Sequence, residues 1–244
     1  THALEINPES PSAYMHLGNS LKKLGLYEVA LSAYECAISL RPDYAGSHNN
    51  KGLLLKDLHK YDLALQSLNQ AIKLKPDLTE AHSNKSLVLR AMGKFEDAIH
   101  SCERAIFLEP ANYMAHHNMG LIQKDLGDVQ AAIASYDLSL ALNPDFDEAS
   151  WNKSLALLLS GQYKEGFRLF EWRFKAETGL KPVLLDSSLW LGEQEVRGRT
   201  VLLHSEQGLG DTIQFCRYAP LLKARGARVV MVVPKPLVSL MGTL

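Results

Sequence analysis

Cysteine is scarce in this chain of 244 residues: Cys36, Cys102 and Cys216 stand far apart and are odd in number. Such a set builds no disulfide framework and points to a reducing, cytoplasmic compartment. Long apolar runs are missing too, and nothing approaches the roughly 20 residues of a membrane span. Neither charge sign is in surplus, because 26 Lys and Arg against 27 Asp and Glu leave a net charge of −1. That balance provides no global basic field to hold a nucleic acid. With 16 Gly and 10 Pro the chain is too poor in both for a collagen-like or linker-type protein, and 46% hydrophobic residues exclude a disordered one. What remains is a globular protein with room for one large or two modest domains. The text opens on Thr1 inside a helical pattern and reads as part of a longer chain.

What the sequence does have is a period. Proline recurs at Pro8, Pro42, Pro76, Pro110 and Pro144, always 34 residues apart. At the overall proline frequency, four further hits at one interval have a chance of roughly a few in a million, so this is a repeat. Ala30, Ala64, Ala98 and Ala132 keep the same step, as do Leu21, Leu55 and Leu89. A turn column reads Gly25, His59, Gly93, Gly127 and Gly161, which suits a left-handed residue just past a helix. Each unit is therefore two helices. In the first, Tyr14, Leu17, Gly18 and Leu21 form an i, i+3, i+4, i+7 stripe, Ala30, Tyr34 and Ala37 face it, and Pro42 ends the pair.

This pattern resembles the tetratricopeptide repeat, and residues 11–44, 45–78, 79–112 and 113–146 match it as four units. Departures are local: His48, His82 and His116 replace the first aromatic, Ser86 the small glycine, Cys102 an aromatic and Ser139 an alanine. Residues 1–10 read as the tail of a preceding repeat, and 147–178 as a degenerate fifth unit or cap. The expected fold is mainly α, a right-handed superhelix of helix pairs whose concave groove binds protein or peptide segments.

Two columns are candidates to line that groove. Asn50, Asn84, Asn118 and Asn152 would offer a donor and an acceptor at each step to the backbone of an extended peptide, or else bond between neighbouring repeats. The Asn column is similar to that in the repeats of the O-linked N-acetylglucosamine transferase, and this resemblance implies an inner-face, substrate-contacting role. Lys22, Lys56, Arg90 and Lys124 form the second column, either groove-lining or solvated. A carboxylate-clamp pattern is not met, since Asn19 and Asn50 fit but Met15, Glu80 and Asn84 occupy its basic positions. The periodic histidines are no metal site, because equivalent residues in successive repeats lie about 8–10 Å or more apart while zinc needs donors at roughly 2 Å. Half-buried wedges between helices are the expectation for them.

Past a linker at 179–197 the period is lost. Thr200 to His204 is a short apolar strand, Ser205-Glu206-Gln207-Gly208-Leu209-Gly210-Asp211 a glycine-rich turn, Ile213 to Leu222 a helical pattern closed by Gly226, and Arg228 to Val233 a second strand. This is a β-α-β unit. A dinucleotide fingerprint is incomplete, for Ile213 stands where a third glycine belongs and no acid ends the second strand. No Gly-Lys-Ser/Thr loop is present. Asp211 is either the N-cap of the helix or a general base at the carboxyl end of a strand.

The run from Trp190-Leu191-Gly192 through His204, Glu206 to Phe215 and Arg217-Tyr218 resembles bacterial tetratricopeptide proteins with a heptosyltransferase-like glycosyltransferase domain. The resemblance implies that 198–244 is the first β-α-β of a Rossmann-like, glycosyltransferase B-type domain. It implies Asp211 as catalytic base and Glu206, Gln207, Gly208 and Gly210 as acceptor-side residues. It also implies no cofactor beyond a nucleotide-sugar donor, held by a half outside these residues. The expected function is a peptide-binding array attached to a sugar transferase, with a non-catalytic interaction scaffold as the alternative.

Overall fold

The computed structural model describes residues 9–176, 190, 192, 194–205 and 208–243, and the chain divides into two compact units, 1–182 and 183–244. The first unit is a stack of antiparallel helix pairs: α1 (Pro11–Lys23) with α2 (Tyr27–Leu40), α3 (Ala45–Asp57) with α4 (Tyr61–Leu74), α5 (Thr79–Ala91) with α6 (Phe95–Leu108), α7 (Tyr113–Asp125) with α8 (Val129–Leu142), and α9 (Asp147–Leu159) with α10 (Tyr163–Phe170).

Local chemistry explains each turn. Within a pair, Gly25, Gly93, Gly127 and Gly161 have φ of 76°, 72°, 83° and 80°, and His59 follows at 58°. A Cβ makes this conformation costly, so the histidine is secured by a 2.8 Å hydrogen bond between its Nδ1 and the Tyr61 hydroxyl. Between pairs, Arg41, Lys75, Glu109 and Asn143 leave the helix with ψ between 84° and 93°. Each precedes a proline, which forbids the helical conformation there. His48, His82 and His116 then bond through Nε2 to the carbonyls of Pro42, Pro76 and Pro110 at 2.8, 2.9 and 2.9 Å. The histidines are half-buried, and they tie each inter-repeat turn to the helix that follows it.

Helix packing rests on paired sizes. Ala30, Ala64, Ala98 and Ala132 are wholly buried. A Cβ on Gly18 would sit 2.5 Å from the Tyr34 ring, one on Gly52 2.6 Å from Leu68, and one on Gly120 2.5 Å from Tyr136. The third pair reverses the arrangement. Ser86 supplies the extra atoms and the opposite residue shrinks to Cys102, both fully buried, so the two departures seen in sequence are one compensated exchange.

The fifth pair is shortened. Helix α10 has 8 residues where the other second helices have 14, and it runs into a 3-10 turn at Glu171–Phe174. Arg173, nearly buried, lies over the rings of Phe170 and Phe174 and donates to the Phe170 carbonyl at 2.9 Å.

In the second unit β1 (Thr200–His204) and β2 (Arg228–Val232) pair in parallel, with Val201 opposite Val229 and Leu203 opposite Met231. The crossover is α11 (Leu209–Phe215) followed by α12 (Tyr218–Ala224), and Gly226 closes it at φ 85°. The sequence pattern predicts one helix here. Pro220 breaks it, since its ring would clash with the carbonyl of residue 216, and proline is tolerated only in the first turn of the new helix. Val196, Val201, Leu222 and Ala227 form the core, with Trp190, Leu203 and Val229 against it. Leu202, Val230 and Val232 point the other way and are exposed, a two-faced apolar pattern of the kind found in parallel sheets. A 3-10 turn, Lys235–Leu237, and α13 (Val238–Met241) follow.

Candidate protein-binding surface

Successive first helices, α1, α3, α5, α7 and α9, touch one another directly, so they line the inner side of the stack and the second helices lie outside. The asparagine column falls at these contacts. The Asn50 side-chain amide donates to Asn19 Oδ1 at 3.0 Å, Asn84 to Asn49 Oδ1 at 2.9 Å, Asn118 to Ser83 Oγ at 2.9 Å, and Asn152 to His117 Nε2 at 3.2 Å. Every one of them reaches back to the preceding repeat. Asn50, Asn84 and Asn152 remain half-buried, whereas Asn118 is buried. The sequence left two roles open, and the structure shows the inter-repeat bond for all four. One amide hydrogen of each is thereby committed, which leaves the carbonyl oxygens of Asn84, Asn118 and Asn152 without a partner among the described residues.

The basic column is not freely solvated. Lys22 and Lys56 share Asp57 at 2.8 and 3.0 Å, while Arg90 and Lys124 share Asp125 at 2.6 and 3.7 Å. Burial alone would raise the Asp57 carboxyl, but hydrogen bonds and charge from the two lysines outweigh it and hold the group below its ordinary range. These acids were not singled out in the sequence. Their signal was there, for Asp57 and Asp125 follow Lys56 and Lys124 directly and lie 35 residues after Lys22 and Arg90.

The tetratricopeptide-repeat family matches residues 11–44, 45–78, 83–145 and 117–171, together well over half of the chain. The chain is a tetratricopeptide-repeat protein. Its helix pairs resemble TTC0263, a thermophilic repeat protein of Thermus thermophilus, at 21% identity and TM-score 0.63, over 70% of this chain and 93% of that one. PilF of Pseudomonas aeruginosa is similar at 20% identity and TM-score 0.60, over 67% of this chain and 76% of that one. MamA from Desulfovibrio magneticus RS-1 gives 18% and 0.54, over 69% and 95%. At these identities the likeness carries the fold alone. No curated protein matches the chain. Among the described residues no helix is long and apolar enough to cross a membrane.

Where the tetratricopeptide array meets its shortened end, His117 was missed as a ladder member because it stands one residue outside the histidine period, in a column that reads Asn49 and Ser83 in the earlier repeats. It is 8% exposed, packed between the rings of Tyr136 and Phe146 at 5.7 and 5.0 Å, and accepts from Asn152 on Nε2, which places its proton on Nδ1. Burial, with the nearby Arg90 charge added, pushes its pKa down to about 4. The Tyr136 hydroxyl is buried without a partner among the described residues, because Leu121 stands where Asn19 receives the Tyr34 hydroxyl at 2.7 Å.

In the second unit Glu206 and Gln207 lie outside the described residues. Gly208 is the N-cap of α11, with no side-chain cap, and Asp211 falls in the first helical turn, which corrects the N-cap expectation for that aspartate. Gly210 and Asp211 are exposed in the first turn of α11. For the ladder the expected result is direct. Asn84→Ala removes one inter-repeat bond and lowers stability by about 1 kcal/mol in urea unfolding while helicity is kept.

Proposed function

We propose that the tetratricopeptide array binds an extended segment of a protein partner along its first helices and acts as an interaction scaffold. The observation that carries this reading is the inner face itself. Half-buried amides with unused carbonyl oxygens and two shared-carboxylate cation pairs run along adjoining helices, so a strand laid there meets a polar partner at each repeat. The test is a selection of binders from a displayed library of random dodecapeptides. Selected peptides should lose affinity when Asn84 or Asn152 becomes Ala and keep it when Phe107, 74% exposed on the outer helix α6, becomes Ser. Peptides indifferent to the inner positions and sensitive to Phe107 would refute the reading.

A second reading concerns residues 183–244, which we propose as the opening of a glycosyltransferase-like domain. In its support, the glycine turn stands at the carboxyl end of a parallel strand, where α/β folds bind ligands, and Asp211 has no hydrogen-bond partner among the described residues. Asp211 would take the proton of an acceptor hydroxyl as that oxygen attacks the anomeric carbon of a nucleotide-sugar, while the bond from that carbon to the phosphate breaks and the nucleotide leaves with its electron pair. Asp211→Asn, in a protein carrying both halves of the cleft, should lower sugar transfer by ~10²–10⁴ with an unchanged melting temperature. Unaltered transfer would leave the residue as a first-turn acid that favours the helix dipole.

A further inference from the structure

The net charge of −1 conceals a segregation. The first helices α1, α3, α5 and α7 hold seven Lys or Arg and three Asp or Glu, a surplus of four positive charges. The second helices α2, α4, α6 and α8 hold two Lys or Arg and seven Asp or Glu, a surplus of five negative charges. Over these four pairs the first helices are basic and the second helices acidic, although the totals nearly cancel; the fifth pair reverses the signs, with one negative charge in excess on α9 and one positive on α10.

The inner positive charge is also organised. Lys22, Lys56 and Asp57 recur as Arg90, Lys124 and Asp125, each 68 residues on, which is a period of two repeats. The intervening step has none, because Ala91 stands in the column of the two aspartates. Each cluster joins neighbouring first helices, holds two cations on one carboxylate and so keeps one positive charge in excess. Their side chains are 24–29% exposed, sheltered enough to weaken screening and open enough to be reached. Beside the second cluster lies the Tyr136 hydroxyl, without a partner among the described residues, on which the charges of Arg90 and Asp125 act.

We infer that the segment bound by the array is acidic, an extended strand whose carboxylates, about six residues apart, sit on the Lys22/Lys56 and Arg90/Lys124 pairs. The spacing follows from helix and strand geometry. Two steps between adjoining helices cover roughly 20 Å, and an extended chain advances about 3.3 Å per residue. An incoming carboxylate takes the charge that each aspartate leaves uncompensated, and the acidic outer helices repel the same segment from the other side.

The inference rests on the proposed inner-face binding, and the dodecapeptide selection separates the two. Enrichment of acidic residues six apart is the expected result. For one such peptide, synthesised with a fluorescent label, Lys22→Gln with Arg90→Gln should weaken binding roughly ten-fold at low salt. Because those changes also remove structural ion pairs, the decisive variant is Asp57→Asn with Asp125→Asn. It loosens the same clusters yet raises each from one to two positive charges, so the acidic peptide should bind several-fold tighter. Weaker or unchanged binding would overturn the inference, since a purely structural role of the clusters predicts that outcome. Inner-face binders selected without any acidic excess would also overturn it and leave the scaffold reading standing. A selection that enriches nothing would sink both.

Discussion

Cys102→Tyr is expected to lower the stability of the array by about 3 kcal/mol, at the upper end for overpacking, because the ring enters a space that Ser86 already fills. Ser86→Gly alone should cost about 1 kcal/mol through lower helix propensity together with loss of the 2.7 Å bond from Ser86 Oγ to the Ser83 carbonyl. Together the two changes recreate the Gly18–Tyr34 and Gly120–Tyr136 arrangement, in which a Cβ on the glycine would lie 2.5 Å from the ring. The double variant should therefore recover to about 1 kcal/mol below the parent, a coupling of roughly 3 kcal/mol. Recovery stays partial because Leu87 occupies the place of Asn19, so the new hydroxyl would be buried without a partner, as that of Tyr136 is. Urea unfolding of the four proteins by circular dichroism reads the cycle. Strictly additive losses would show that the two positions are independent and that the third pair packs by some other means.

Acid should weaken the junction of the fourth and fifth pairs through His117. In the folded chain its pKa is pushed down to about 4, first by burial and then by Arg90, against an ordinary value near 6.5. The unfolded chain takes up a proton as pH falls through about 6.5, and the folded chain does not until about 4. Stability from this group is thus fully present above that upper value and is lost progressively between the two, amounting to about 3 kcal/mol. A proton on Nε2 would also turn its acceptor for Asn152 into a donor facing a donor. His117→Gln keeps an acceptor and removes the titration. Melting temperatures of both proteins at pH 7.5, 5.5 and 4.5 should diverge from the first value to the last, the parent falling faster. Parallel curves would mean that the ring is protonated in the fold.

Much of this molecule was legible in its residues. The proline step of 34, the left-handed turn column and the alanine column specify helix pairs and their ends, because proline and positive φ act through the local backbone. The two short strands and Gly226 were readable for the same reason. Pro220, equally local, marks the break between α11 and α12, and the continuous apolar spacing around it conceals that break.

The use of the polar columns was not legible. Whether an asparagine amide meets a peptide or the preceding repeat depends on how far neighbouring helices are offset, and the structure places each Asn within 2.9–3.2 Å of a residue 31 or 35 positions earlier. The same offset brings Lys22 to Asp57 and Arg90 to Asp125, so that a column of like charges becomes two clusters, each half compensated by one carboxylate. Ser86 and Cys102 look like separate departures in the text, and only their contact across a helix pair makes them one exchange. Periodicity determines which face a side chain occupies, because that is set by 3.6 residues per turn within one helix. Its partner lies on another helix, and only the packing of the stack decides which group arrives there.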